Sequence, residues 1–203
     1  SLLSQVNREW SQAELVQLVK HPDPWVRAQA ALITANQQYL VHLANDDSSV
    51  VRVAALHQMN QNLLKEDGCT NSSNGGEQEG VPSCRSEYCK PLIRASRHSD
   101  AYVRWKGAFG LQFCTADTVE LIRLLKDPDI DVQREAVHSL RRHTLSSTEI
   151  DAVLQLTHSS NSFVRRWAWE TVVTLPIDLT SHLTECIESE PSSLVRQVCS
   201  KSL

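Results

Sequence analysis

Tyr102, Trp105 and Phe109 follow one another at spacings of three and four residues, the interval that lines side chains up on one face of a helix. Arg134, His138, Phe163, Arg166 and Trp25 occupy comparable places in other segments of the chain. A guanidinium over a ring face makes a cation–π contact, and aromatic residues with Arg are the usual anchors of binding surfaces. Such a groove holds a peptide, a stacked base or a flat cofactor. The same side chains can equally pack against a neighbouring helix, so a binding ridge and a packing seam are both open. Other chemistry has no constellation to carry it. There is no Gly-rich phosphate loop, no nucleophile elbow and no pair of carboxylates at catalytic spacing. Cys84 and Cys89, with Cys69, lack the two-residue spacing of a structural zinc knuckle and read as unpaired thiols. His138, Arg141, Arg142 and His143 read as a solvated helix end, where cations are stabilised by the dipole. No catalytic residue, metal ligand or cofactor is expected.

What must position the aromatic and Arg residues is a repeat. Asp127–Leu140 (DPDIDVQREAVHSL) is its template, and five more copies lie along the chain. The anchors are Arg27, Arg52, Arg104, Gln133, Arg165 and Arg196, at intervals of 25, 52, 29, 32 and 31 residues. A valine precedes every anchor: Val26, Val51, Val103, Val132, Val164 and Val195. A small residue follows three places on, at Ala30, Ala55, Gly107, Ala136, Ala168 and Cys199, and seven places on stand Thr34, Met59, Leu111, Leu140, Val172 and Leu203. Four places before each anchor is a helix-capping residue: Asp23, Ser48, Asp100, Asp129, Asn161 or Ser192. The valine and the large apolar column are expected to be buried, and the small residue to let a neighbouring helix approach. Full burial of a Val or Leu is worth about 1.5–3 kcal/mol, more than the roughly 1 kcal/mol of a cap, so burial decides the register. Helical patterning at this period predicts an all-α chain, a right-handed α-solenoid of about six helix pairs forming one domain over 1–203.

These segments, HPDPWVRAQAALIT, DDSSVVRVAALHQM, HSDAYVRWKGAFGL, DPDIDVQREAVHSL, SSNSFVRRWAWETV and EPSSLVRQVCSKSL, resemble the HEAT-repeat superfamily. They are closest in style to its short-repeat, phycobilisome-lyase-like subclass, an armadillo-like architecture. The resemblance implies a leading Asp paired with the repeat's Arg. That Asp stands at Asp46 and Asp127; His, Ser or Glu takes its place elsewhere, and Gln133 replaces one Arg. It implies a protein-binding scaffold or adaptor whose inner helices line a concave face. Hydroxylases of this fold carry His-Glu dipeptides, which this chain lacks. Its alkylpurine glycosylases place an Asp one turn after a Trp, where this chain has Phe109 after Trp105. A chromophore-handling or nucleic-acid-handling protein of the same fold remains the alternative function.

At 100° per residue, the positions two before, one after and five after each anchor point away from the core. The first column is Trp25, Val50, Tyr102, Asp131, Phe163 and Leu194; the second Ala28, Val53, Trp105, Arg134, Arg166 and Gln197; the third Leu32, His57, Phe109, His138, Glu170 and Lys201. The expected binding ridge is therefore Trp25, Tyr102, Trp105, Phe109, Arg134, His138, Phe163 and Arg166, with Trp167 and Trp169 nearer the core. Residues 66–86 hold four of the six glycines without apolar period and read as a flexible insertion of roughly twenty residues. Asn71-Ser72-Ser73 there fits a glycosylation triplet. Pro91 is expected near the start of a helix, and Asp117 with Glu120, like Ser11 with Glu14 and Ser146 with Glu149, as a capping pair. Net charge is −4 with a pI near 6, which disfavours nucleic acid and anionic membrane as partners and leaves a protein partner as the expectation. A small-molecule ligand would fit the groove, but no residue set supports one. No run of eighteen apolar residues exists, no signal pattern opens the chain, and the absence of an initiator Met points to a processed N-terminus. Cys114, Cys186 and Cys199 read as small core residues with reduced thiols, and the expected setting is cytoplasmic.

Overall fold

The computed structural model describes residues 10–65, 86–114 and 118–203. The chain divides into two compact units, Ser1–Pro91 and Leu92–Leu203. The first holds α1 (Gln12–Val19), α2 (Pro24–Ile33), α3 (Gln37–Leu43) and α4 (Ser49–Lys65). Next comes α5 (Ser86–Ser96), then α6 (Ala101–Leu111), α7 (Thr118–Leu124), α8 (Ile130–Leu140), α9 (Ser147–Gln155), α10 (Ser162–Val172), α11 (Thr180–Ser189) and α12 (Ser193–Ser200). The inner helices α2, α6, α8 and α10 start where their caps place them. Among the described residues there is no strand, and no helix is long and apolar enough to cross a membrane. The architecture is an all-α solenoid of helix pairs, and in the second unit α6, α8, α10 and α12 pack as consecutive neighbours. Of the expected insertion, 66–85 lies outside the described residues, including the Asn71-Ser72-Ser73 triplet, and Ser86 opens α5.

Caps begin the helices. Asp23, Asp100, Asp129 and Asn161 accept from backbone N–H groups of the first turns of α2, α6, α8 and α10, and Ser11 with Glu14 closes a capping box on α1. Ser192 makes no side-chain cap bond. Val51, Val103, Val132, Val164 and Val195 are buried, as are Ala30, Ala55, Ala136, Ala168 and Cys199. Gly107 shows why the small column exists: a Cβ there would lie 2.6 Å from the Ser96 amide nitrogen and 2.9 Å from the Leu92 carbonyl oxygen, both backbone.

The ends of the pattern depart from expectation. Val26 is only half-buried, Ala28 is buried rather than exposed, and Leu203 is 69% exposed because α12 stops three residues before it. Pro91 sits inside α5 instead of at its start, at the expense of one i→i−4 hydrogen bond. Asp117, and with it the expected capping pair, lies outside the described residues, while Glu120 itself is buried. Its buried carboxylate takes Arg97, Arg123 at 2.9 Å and the Ser96 hydroxyl at 3.2 Å. Arg97, and then Arg123 against the opposing effect of burial, hold that carboxyl down to about 2.

Thiol chemistry is the largest correction. Cys186 on α11 and Cys199 on α12 are buried as expected, but they are joined as a disulfide with Cα atoms 6.3 Å apart. Cys89 and Cys114 are disulfide-bonded as well, and no free cysteine occurs among the described residues. A buried small-residue pattern cannot separate a thiol from half a disulfide, because both are compact and apolar.

Every anchor side chain turns back to the loop before its own helix. Arg27 Nη1 donates to the carbonyls of His21 and Pro22 at 2.7 and 2.9 Å, Arg104 to those of His98 and Ser99 at 3.0 and 2.7 Å, and Arg165 to those of Ser159 and Ser160 at 2.7 and 3.1 Å. Arg52 does the same to Asp46 and Asp47, Gln133 to Asp127, and Arg196 to Glu190. The leading residues share a second duty. His21, Asp46, His98, Asp127, Ser159 and Glu190 each accept, through the side chain, the N–H two residues on. His, Ser and Glu therefore keep the acceptor that the Asp supplies. Where the leading residue is acidic it also takes the preceding repeat's Arg with both oxygens: Asp46 with Arg27 at 2.7 and 2.9 Å, Asp127 with Arg104 at 2.7 and 2.8 Å, Glu190 with Arg165 at 2.7 and 2.6 Å. Where the anchor is the neutral Gln133, the next leading residue is the neutral Ser159. That pair of changes leaves no charge stranded.

Candidate partner-binding face

The inner helices α6, α8 and α10 of the second unit bring together seven of the eight expected ridge residues. Trp25, the eighth, is 65% exposed in the first unit. On α6, Tyr102 and Trp105 stack with centroids 5.8 Å apart and Trp105 meets Phe109 at 6.3 Å, while Phe109 meets Phe113, in the turn just past the helix, edge-on at 6.2 Å. Spacings of three and four residues make this aromatic row continuous along the helix. On α10, Phe163 stacks on Trp167 at 6.2 Å.

Cations of the chain itself cover much of this aromatic surface. Lys106 Nζ lies 5.4 Å from the Tyr102 ring centre and 4.9 Å from that of Trp105. The Arg134 guanidinium lies 5.8 Å from Trp167, and that of Arg142 5.5 Å from Phe113. Carboxylates hold the arginines in turn. Arg134 pairs with Asp131 at 3.1 Å, Arg166 with Glu170 at 2.7 Å, and Arg141 reaches Glu170 at 3.7 Å and the Thr171 hydroxyl at 3.0 Å. Trp105, Phe109, Arg134, His138 and Arg166 are consequently half-buried, while Tyr102 and Phe163 stand 52% and 56% exposed. Interlocking therefore accounts for the middle of the ridge, and its rim is left open.

The titrating groups reflect that partial burial. Burial raises the Glu135 carboxyl, against the pull of Arg134, the Trp105 indole and Lys106. Burial and then Arg141 push His138 down, with Glu170 opposing. Trp105 Nε1 is buried without a hydrogen bond of ordinary geometry. Phe113, Lys106, Glu135 and Trp167 were not anticipated as members of this face. The i+4 steps from Phe109 to Phe113 and from Phe163 to Trp167 were the available signal. Trp169 is buried core, as expected. Among the described residues no three His, Cys, Asp or Glu side chains group as metal ligands.

The chain matches the family model of HEAT repeats over residues 89–172 and 118–203, together more than half its length. Among solved structures it is similar to one engineered protein at 16% identity and a TM-score of 0.61, covering 93% of each chain. It is also similar to a second engineered protein at 18% identity and a TM-score of 0.60, covering 96% of this chain and 98% of that one. An archaeal HEAT-like repeats protein from Thermococcus onnurineus NA1 aligns at 15% identity and a TM-score of 0.48 over 97% of each chain. At these identities the likeness is one of fold alone. No curated protein matches the chain.

Proposed function

We propose that this chain, which belongs to the HEAT-repeat family, is a non-enzymatic adaptor or regulatory scaffold that binds a protein partner on the inner-helix face of α6, α8 and α10. The observation that carries this reading is the pair of half-exposed rings, Tyr102 and Phe163, at the rim of a row whose other members are locked in place. Rigid aromatic side chains with open area are the residues that give interfaces most of their energy. Their preorganisation lowers the ordering cost of binding. Tyr102→Ala with Phe163→Ala tests it: the double variant should keep its melting temperature and lose capture of whatever protein the wild-type chain retains from its native extract. Capture at the wild-type level would remove the face from consideration.

The cysteines support a reading of the setting. A cytoplasmic location was expected from reduced cysteines, and the Cys186–Cys199 bond takes away that premise. Disulfides form and persist in oxidising compartments, and we place the working protein in one. Alkylation of freshly isolated protein before reduction should leave Cys186 and Cys199 unlabelled. Labelling of both would return the chain to a reducing compartment.

A further inference from the structure

Tyr102 and Trp105 form one wall of a cavity of about 380 Å³, and the start of α8, with Asp129, Asp131 and Arg134, forms the other. That volume is at the small end for binding cavities, room for one side chain rather than a large ligand. Its chemistry selects the side chain. The two rings are stacked nearly parallel, 17° apart, and offer a broad negative quadrupole. Asp131 is well exposed at 63% of its side chain, and Asp129 spends one oxygen, Oδ1, on the N–H groups of Asp131 and Val132. Arg134 is the one guanidinium in the lining, and it is already engaged by Asp131 and by the Trp167 ring. Lys106 touches both rings but does not line the cavity. With Arg134 balanced by Asp131, Asp129 leaves the lining one negative charge in excess beside the two rings, and this makes it a pocket for a positive charge.

The pocket belongs to a longer row. Tyr102, Phe163 and Leu194 hold the same repeat position on α6, α10 and α12 and are 52%, 56% and 52% exposed; Asp131 holds that position on α8. Packed helices lie about 8–10 Å apart and an extended chain advances about 3.3 Å per residue, so a strand crossing the row meets a new helix at about every third residue.

We propose that this row is the track for an extended partner segment whose lysine or arginine seats between Tyr102, Trp105 and Asp131, with an apolar residue about six positions on, two helices away, against Phe163. The proposal rests on the adaptor reading and supplies the chemistry of its partner. An acidic segment would face Asp129 and Asp131 and be repelled.

The test uses the full chain and a fluorescein-labelled peptide, Lys-Ser-Gly-Leu-Ser-Gly-Leu, beside the same peptide with Glu for Lys, followed by anisotropy. Saturable binding of the lysine peptide is expected. Asp131→Asn should weaken it about tenfold, the scale of one lost cation contact, with unchanged helical circular dichroism. Added salt should weaken it too. Equal or tighter binding of the glutamate peptide, or an Asp131→Asn variant that binds as the wild type does, overturns the cation pocket. If neither peptide binds while the Tyr102→Ala, Phe163→Ala variant still fails to capture a partner, the pocket falls and the adaptor reading stands. If that variant captures normally, both fall.

Discussion

Asp127 and Asp131 lie four residues apart at the start of α8, and each pairs with an arginine, yet they belong to different regions of the molecule. Asp127 meets Arg104 in the seam between repeats, where the two side chains are 2% and 11% exposed. Asp131 meets Arg134 on the inner-helix face, where the figures are 63% and 39%. In the seam the same donor and acceptor duties recur at every repeat, and a residue changes only into one that keeps the duty, as Glu190 and Ser159 do. On the face, equivalent positions hold Tyr102, Asp131, Phe163 and Leu194, with no duty in common. A column that repeats is a column the fold needs. One that varies from repeat to repeat is free to serve something else.

The sharpest way to break this contrast is to treat both aspartates alike. Asp127→Ala strands a buried guanidinium and is expected to cost about 3–5 kcal/mol in urea denaturation. Asp131→Ala removes a surface pair and should stay within about 0.5 kcal/mol. Equal losses would erase the distinction between seam and face. Reduction of the Cys186–Cys199 bond, which closes a span of 13 residues, should lower stability by about 2–4 kcal/mol, read from the denaturation midpoint with and without reductant. Gly107→Ala forces a methyl against the backbone of α5 and should cost about 1–3 kcal/mol, whereas alanine in place of a residue on the face should cost little.

Acid sharpens the contrast most gently. At Asp46 and Glu190 the Arg bonds outweigh burial, and at Asp127 burial is outweighed by Arg104 and the Asp129 N–H, so all three carboxyls lie below their ordinary range. A depressed folded value means stability that is present above the unfolded value near 4 and is lost as pH falls through the folded one; for Glu120 that loss extends to about pH 2. Glu135 has the opposite sign, being raised by burial, so its contribution is lost as pH rises. Glu135→Gln should therefore be neutral or slightly stabilising at pH 7 and give no gain at pH 4, by thermal melts at the two values.

The fold was legible because its causes are local and repeated. Caps such as Asp129, the valines before each anchor and the small residue at Gly107 all announce themselves by spacing. The Arg column's pairing with a leading Asp was implied by the family resemblance, but its other duty was hidden: its carbonyl targets are backbone, and backbone leaves no mark in the residue types. The face was half legible. Helical arithmetic brought Tyr102 and Phe163 to the surface correctly and missed that Lys106, Arg134 and Arg142 would lie over the rings, because those contacts depend on rotamers of long side chains. Ala28 escaped the exposed column and Val26 the buried one at the first repeat, where the pattern begins. Pairing of the cysteines escaped because six thiols admit many pairings and burial looks the same for all.

The most direct measurement is hydroxyl-radical footprinting of the chain alone and in complex with its captured partner. Strong protection of Tyr102 and Phe163 is expected in the complex, with α7, α9 and α11 labelled as before. Unchanged labelling at Tyr102 and Phe163, with protection on those outer helices instead, would contradict it.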